Sequence, residues 1–329
     1  MMKLSTMKKV MNRLYSEEGD SFIQQILEPW GVDEDTVAIV RASANFVLTF
    51  TLEEKRYFLR FNDSSERDYL SIEAELAIVR YLGEKSLNVA KPVPSIKGND
   101  IEVAETDIGT FYAVVFEAME GDHLDLEEMT ERQVYLWGKA LGNLHEHLKQ
   151  LPEEFRVNRP SWKERLIAAK DILPKQELAA HRECDRLLEW ADGLSLSKEH
   201  YGLIHYDFEM DNVMFDHETI GMLDFDDSSV HWYAADIVYA LRDAGDFDGE
   251  NPVTKIFIEG YESETDLDLD IPKSASGFER MHHLISLARL IRAVDIEEGG
   301  GHPGWLEELR VKLAGVIEKY RTNIEKLER

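Results

Sequence analysis

Apolar residues at Leu4, Met7, Met11 and Leu14, then at Phe22, Ile26, Leu27 and Trp30, recur at three- and four-residue intervals, the period of a helix face. Two leading helices are predicted. Their polar faces are not strongly basic, so packing on the protein is expected rather than insertion at a membrane surface. From Thr36 the texture changes to short β-branched and aromatic runs, TVAIVRAS, FVLTFTLE and RYFLRF, with polar LEEK between the last two. These read as antiparallel strands joined by a tight turn. A helix is predicted from about Ser65 to Gly83, with Leu70, Ala74, Ala77, Ile78 and Leu82 on one face and Gly83 as terminator. Two further strands, IEVAE and TFYAVVFEA, flank a turn at Thr106 to Gly109.

Beyond Gly121 the strand signal nearly vanishes. The stretch TERQVYLWGKALGNLHEHLKQL places Val134, Trp137, Leu141, Leu144 and Leu148 on one helix face, and segments 161–192, 231–243 and 277–296 are also helix-like. The pattern predicts an α+β protein of two lobes, a sheet-rich lobe over residues 1–118 with its leading helices and a larger helical lobe over 119–329. The 37 Lys and Arg against 65 Asp and Glu leave a net charge of −28, which argues against nonspecific nucleic-acid binding. No run approaches the roughly 18 apolar residues of a membrane span, so no membrane partner and a cytoplasmic location are expected. The single cysteine, Cys184, can form neither an intrachain disulfide nor a thiolate metal site by itself. The acidic stretch from Asp243 to Asp270 reads as a solvated loop or helix end.

The segment YGLIHYDFEMDNVMFDHETIGMLDFDDSS, residues 201–229, carries the chemistry. Short apolar strips alternate with turns, and His205, Asp207, Asn212, Asp224 and Asp226 cluster at the strip ends. A carboxylate and an amide oxygen suit a hard divalent cation whose remaining ligands are phosphates and water. Asp207 precedes Asn212 by five positions, so one loop can aim a base at a hydroxyl and a ligand at a metal. Asp226 and Asp227 read equally well as a solvated turn or as part of a metal site.

The order H-x-D-x-x-x-x-N followed by an apolar-Asp-Phe pair resembles the aminoglycoside phosphotransferase and choline/homoserine kinase-like branch of the protein-kinase fold, from about Asp35 to Ala240. The resemblance implies that Asp207 and His205 form the catalytic loop, with Asp207 the base and His205 a brace, and that Asn212 and Asp224 hold Mg2+. It implies a nucleotide-contacting set of Arg60 in YFLR, its helix partner Glu75, Ser43 in the phosphate-covering turn, Ala118 and Met119 at the junction of the lobes, and Met214. LGNLHEHL and AADIVYAL, with Asp236, resemble the family's helical scaffold. Three positions depart from the family pattern: Arg60 stands where Lys is common, Tyr206 where Gly is usual, and RASANFV lacks the glycines of a phosphate-covering loop. Phe58 is also large for a residue roofing an adenine.

The expected function is transfer of the terminal phosphoryl group of ATP or GTP to a hydroxyl of a small acceptor, an aminoglycoside-like compound or amino-alcohol metabolite. The acidity favours a cationic acceptor. A non-catalytic nucleotide-binding module, a kinase of protein Ser/Thr and a metal hydrolase working without nucleotide are the rivals. Only the last leaves the first lobe without a role. Oligomeric state is not legible.

Overall fold

The computed structural model describes residues 1–32, 36–245, 247, 250–267 and 271–327. Positions 33–35, where the resemblance begins, and 246, 248–249 and 268–270 of the acidic stretch lie outside the described residues.

Three strands, β1 (Ala38–Ala42), β2 (Phe46–Leu52) and β3 (Lys55–Asp63), form an antiparallel meander that continues into β6 (Gly109–Glu117). The short β4 (Pro92–Val93) and the hairpin partner β5 (Glu102–Thr106) share the other edge of β6. The β2–β3 turn is built on Glu53 and Glu54, both with positive φ (50° and 65°), where asparagine and glycine are the usual choice. Alternation along β3 divides the sheet. Leu59 and Phe61 face one side, where α1 (Leu4–Leu14) and α2 (Gly19–Leu27) cover them through Val10, Phe22 and Ile26. Arg60 and Asn62 face the other, beside α3 (Tyr69–Glu84). The leading helices are therefore core elements of the first lobe. Helix α3 runs through Gly83, and its end is set by Ser86 at φ 67° with Leu87 N–H donating to the Leu82 carbonyl at 3.1 Å.

The second lobe opens with α4 (Glu131–Lys149), started by a reciprocal cap between Thr130 and Gln133, followed by α5 (Trp162–Ile172) and α6 (Leu178–Asp192). Two small antiparallel pairs interrupt the helices: β7 (Tyr201–Ile204) with β10 (Ser229–Trp232), and the hairpin β8 (Val213–Asp216)–β9 (Thr219–Met222). Then come α7 (Tyr233–Ala240), α8 (Pro252–Glu262), α9 (Ile271–Ala293) and α10 (Gly304–Lys326). Leu306 and Leu313 of α10 pack into the core under α1 and α2, so the end of the chain returns to the first lobe. Among the described residues no helix is long and apolar enough to cross a membrane.

Helices α4 and α8 approach through glycines. A Cβ on Gly260 would lie 2.0 Å from the Tyr135 carbonyl oxygen, and one on Gly138 1.9 Å from that of Phe257. This contact brings Tyr261 of α8 to His145 of α4, at 2.7 Å. Gly260→Ala is expected to separate the helices and to cost about 1–3 kcal/mol of stability, read as a lowered urea midpoint.

Candidate active site

Strand β7 leads into His205, whose imidazole is fully buried. Its Nε2–H donates to the Leu223 carbonyl at 2.9 Å and its Nδ1 accepts from the Asp207 N–H at 3.3 Å. That pairing fixes the tautomer and ties the Asp207 turn to the strand exit that carries Asp224. Tyr206 takes φ 77°, the left-handed region, which explains why glycine suits this position. Its ring is buried beneath the Arg165 guanidinium, 4.1 Å from the ring centre, and against Tyr239.

One buried carboxylate organises the turn. Asp236 on α7 accepts from the backbone N–H groups of His205 at 2.8 Å and Tyr206 at 2.7 Å, and from His145 Nε2 at 2.9 Å. His145 Nδ1 in turn accepts from the Tyr261 hydroxyl at 2.7 Å. Burial holds the His145 imidazole below its usual pKa, consistent with that neutral, donor–acceptor arrangement.

Asp207 and Asn212 meet directly. The Asn212 Nδ2 donates to the Asp207 carbonyl at 2.8 Å and to its Oδ2 at 3.1 Å, which leaves Asn212 Oδ1 as a free acceptor. Arg242, just beyond α7, donates through Nη1 to Asp207 Oδ1 at 3.1 Å and through Nη2 to Glu209. Burial raises the Asp207 carboxyl above its ordinary range, and Arg242 works against that rise. Burial and the neighbouring Asp207 charge push Glu209 up to about 7.

Across the cleft, Arg60 on β3 and Glu75 on α3 form a two-armed pair at 2.8 and 2.7 Å, with both residues buried. This is an interior fork, not a surface ion pair. Arg60 Nη1 also lies 3.4 Å from Asp224 Oδ1, while Arg60 Nε is buried without a partner. Asp224 sits in the left-handed region at φ 56°, and burial, then the Asp226 charge, raise its carboxyl well above the usual range.

Asp226 is buried and Asp227 half-buried, and both are tied down by arginines. Asp226 accepts from Arg67 and from Asn45 Nδ2 at 3.0 Å; Asp227 is held bidentately by Arg289 at 2.9 and 3.0 Å and also meets Arg165. Burial opposes both charges, yet the arginines hold Asp226 below and Asp227 well below the ordinary carboxylate range. Beside this turn α3, α5 and α9 wall a cavity of about 650 Å3, lined by Arg67, Ser71, Arg165, Asp227 and Arg289 among others.

The remaining residues of the predicted nucleotide set have the following surroundings. Ser43 accepts from Arg41 Nε at 2.8 Å and, through its carbonyl, from the Met2 N–H at 3.1 Å. No residue from Arg41 to Phe46 has positive φ, so this turn does not need glycine. Met119 and Met214 converge on Gly221, where an added Cβ would lie 2.6 Å from Met119 Cε. The Ala118 N–H already donates to the Arg56 carbonyl at 3.2 Å, which leaves the Ala118 carbonyl as its backbone group for a ligand. Arg242, Glu209, Asn45 and Arg67 escaped the sequence reading. Only Glu209, inside the catalytic-loop motif, carried a local signal.

Residues 36–271 match the family model described as the phosphotransferase enzyme family. The chain belongs to that family. It is similar to the amicoumacin kinase of Bacillus subtilis (strain 168), 25% identical over 333 aligned positions that cover 96% of this chain and 94% of the relative. Among solved structures, an amicoumacin kinase in complex with AMP-PNP, Ca2+ and Ami matches with a TM-score of 0.80 at 23% identity, covering 97% of this chain and 96% of that one. A microcompartment-associated aminopropanol kinase matches at 0.68 and 21% identity, covering 92% and 98%. The spectinomycin phosphotransferase bound to ADP and its antibiotic matches at 0.65 and 16% identity, covering 93% and 98%. The two-lobed fold is thus that of small-molecule kinases, and this chain is a phosphotransferase.

The hub at Asp236 makes a specific demand. Asp236→Ala strands two backbone N–H groups and the His145 ring, each costing about 1–3 kcal/mol when buried unpaired. A stability loss of about 3 kcal/mol or more in urea titration is expected, with loss of turnover.

Proposed function

We propose that this phosphotransferase moves the terminal phosphoryl group of a nucleoside triphosphate, ATP in first place, to a hydroxyl of a small amine-bearing acceptor in the cytoplasm. The observation that carries this reading is the convergence of Asp207, Asn212, Asp224 and Arg60 from two lobes on one cleft. Asp207 orients the acceptor hydroxyl and takes its proton, and His205 braces the loop without touching substrate. Asn212 Oδ1 and the Asp224 carboxylate would hold Mg2+. The donor set fits: Asn212 has its amide N–H group turned to Asp207, and Asp224 is a half-buried carboxyl whose charge a cation would stabilise. Among the described residues no group of three or more His, Cys, Asp and Glu side chains could hold a metal alone, which agrees with a site completed by phosphates and water. When bound, the cation would neutralise charge on the phosphates.

Arg60 supplies the protein's own phosphate contact. Glu75 occupies one N–H on each arm of its fork, so the second Nη2 hydrogen remains for a phosphate oxygen. We place the acceptor's body in the cavity beside Asp227, because Arg165 in its wall lies directly over Tyr206, the residue before Asp207. The acceptor's amine is supported by the net charge of −28 and by the carboxylates of Asp207 and exposed Asp211 on the same segment. The aminopropanol kinase, by its name, acts on an acceptor of the same class.

Initial rates with Mg-ATP against amino alcohols and hydroxy acids test the reading; faster turnover of the anionic set overturns the amine. Asp207→Asn is expected to lower kcat at least about 100-fold with Mg-nucleotide affinity intact, the size of a general-base contribution. Asp224→Ala should instead weaken Mg-ATP binding itself in calorimetry.

Position 60 gives a separate outcome. Arg60→Lys keeps the charge but not the fork, so partial activity with a raised KM for nucleotide is expected, whereas Arg60→Ala loses most turnover. Glu75→Gln should resemble a mild Arg60 defect. Wild-type nucleotide kinetics in Arg60→Ala would remove this residue from the phosphate site.

A further inference from the structure

Arg242 reaches into the catalytic segment from the end of α7, and its fork is divided. Nη1 donates to Asp207 Oδ1 at 3.1 Å and to the Tyr239 carbonyl at 3.2 Å, while Nη2 donates to Glu209. Arginine and carboxylate pair most strongly when both arms close on one carboxylate, as Arg60 and Glu75 do here. Such a closure on Asp207 would add a second donor to Oδ2, which already accepts from Asn212 Nδ2, and fill the direction that a substrate hydroxyl needs at that oxygen. The observed contact is single-armed. Asp207 Oδ2 meets Asn212 Nδ2 at 3.1 Å, so each oxygen has one fixed donor and keeps one direction open.

We propose that Glu209 is a positioning residue that holds the second arm of Arg242 away from Asp207, so that Arg242 orients the base without capturing it. The inference rests on the reading of Asp207 as the base and goes beyond it. Neither Glu209 nor Arg242 contacts the nucleotide or the acceptor in this scheme; both act through Asp207. Arg242 is itself anchored at the Tyr239 carbonyl, at the end of the helix whose Asp236 fixes the backbone of His205 and Tyr206. The orientation of the base and the path of its loop are therefore referenced to one element. Glu209 lies two positions beyond Asp207, on the same segment as the base it protects.

The arrangement predicts that removing one partner is worse than removing two. Glu209→Met frees the second arm of Arg242 to close on Asp207; Glu209→Met with Arg242→Met removes the captor as well. Glu209→Gln keeps an oxygen acceptor for Nη2 and should behave as wild type. The assay is steady-state hydrolysis of Mg-ATP with water as the acceptor, alongside Mg-ADP affinity by calorimetry. Expected are a kcat about tenfold lower in Glu209→Met, recovery of most of that loss in the double variant, and unchanged Mg-ADP affinity in all three. A simple structural defect gives no such rescue. Wild-type kcat in Glu209→Met, a double variant no faster than the single one, or weakened Mg-ADP binding in Glu209→Met each overturns the proposal. Asp207→Asn run beside them separates the two levels: full turnover there removes Asp207 as the base, whereas loss there with full turnover in Glu209→Met removes only the role of Glu209.

Discussion

The buried Asp236 carboxylate is the point to which the catalytic segment is referenced. Its two oxygens receive two consecutive backbone N–H groups, from His205 and Tyr206, and a third donor from His145. A buried carboxylate is stable only when its lone pairs are filled, and here the filling groups come from the turn after β7 and from α4. The His145–Tyr261 link extends the same chain to α8, which can reach α4 because Gly260 and Gly138 leave room for the facing backbone. Asp207 therefore points where it does because of a network that begins on the far side of the lobe.

Within four residues the chain carries three aspartates whose roles are set by their partners, not by their type. Asp224 has a single long contact with Arg60, and its charge is disfavoured by burial and by Asp226. Asp226 and Asp227 are matched by Arg67 and by Arg289 and Arg165, so their charges stabilise the turn that presents Asp224. Such buried pairs roughly balance their own desolvation, and removing one member is what costs. The arginines come from the loop just before α3, from α5 and from α9, which makes the turn a junction of both lobes.

The departures from the family pattern are compensated locally. A residue with a side chain in the left-handed region costs roughly 1–2 kcal/mol, whereas truncating a buried aromatic costs about 3–5 kcal/mol. Tyr206, packed under Arg165 and against Tyr239, offsets the backbone cost with its ring, while its buried hydroxyl has no hydrogen-bond partner among the described residues. The turn at Ala42 to Asn45 lacks glycine because its backbone never enters the left-handed region, and it is held by Met2 and by Asn45, which also meets Asn62 and Asp226. Arg60 fits where lysine is common because Glu75 presents both oxygens to its fork.

Periodicity alone determined the leading helices, the sheet-rich first lobe, α3 and α4 as elements, but it misplaced the buried face of α3: Leu70 is exposed, and Ile72, Leu76 and Val79 are buried beside Ile78 and Leu82. Motif spacing alone singled out His205, Asp207, Asn212 and Asp224, since a loop of fixed length carries its ligands in fixed order. It could not find β10, a four-residue strand defined by its pairing with β7 and by its bridge to Ser161. Nor could it find Arg242, Asn45, Arg67, Arg165 and Arg289, which lie 35 to 181 residues from the aspartates they meet. Arginine in an acidic chain is unremarkable by position. Local order follows from spacing along the chain, but which carboxylates are paired and which are left open depends on charges brought together by folding, and only the tertiary structure decided that.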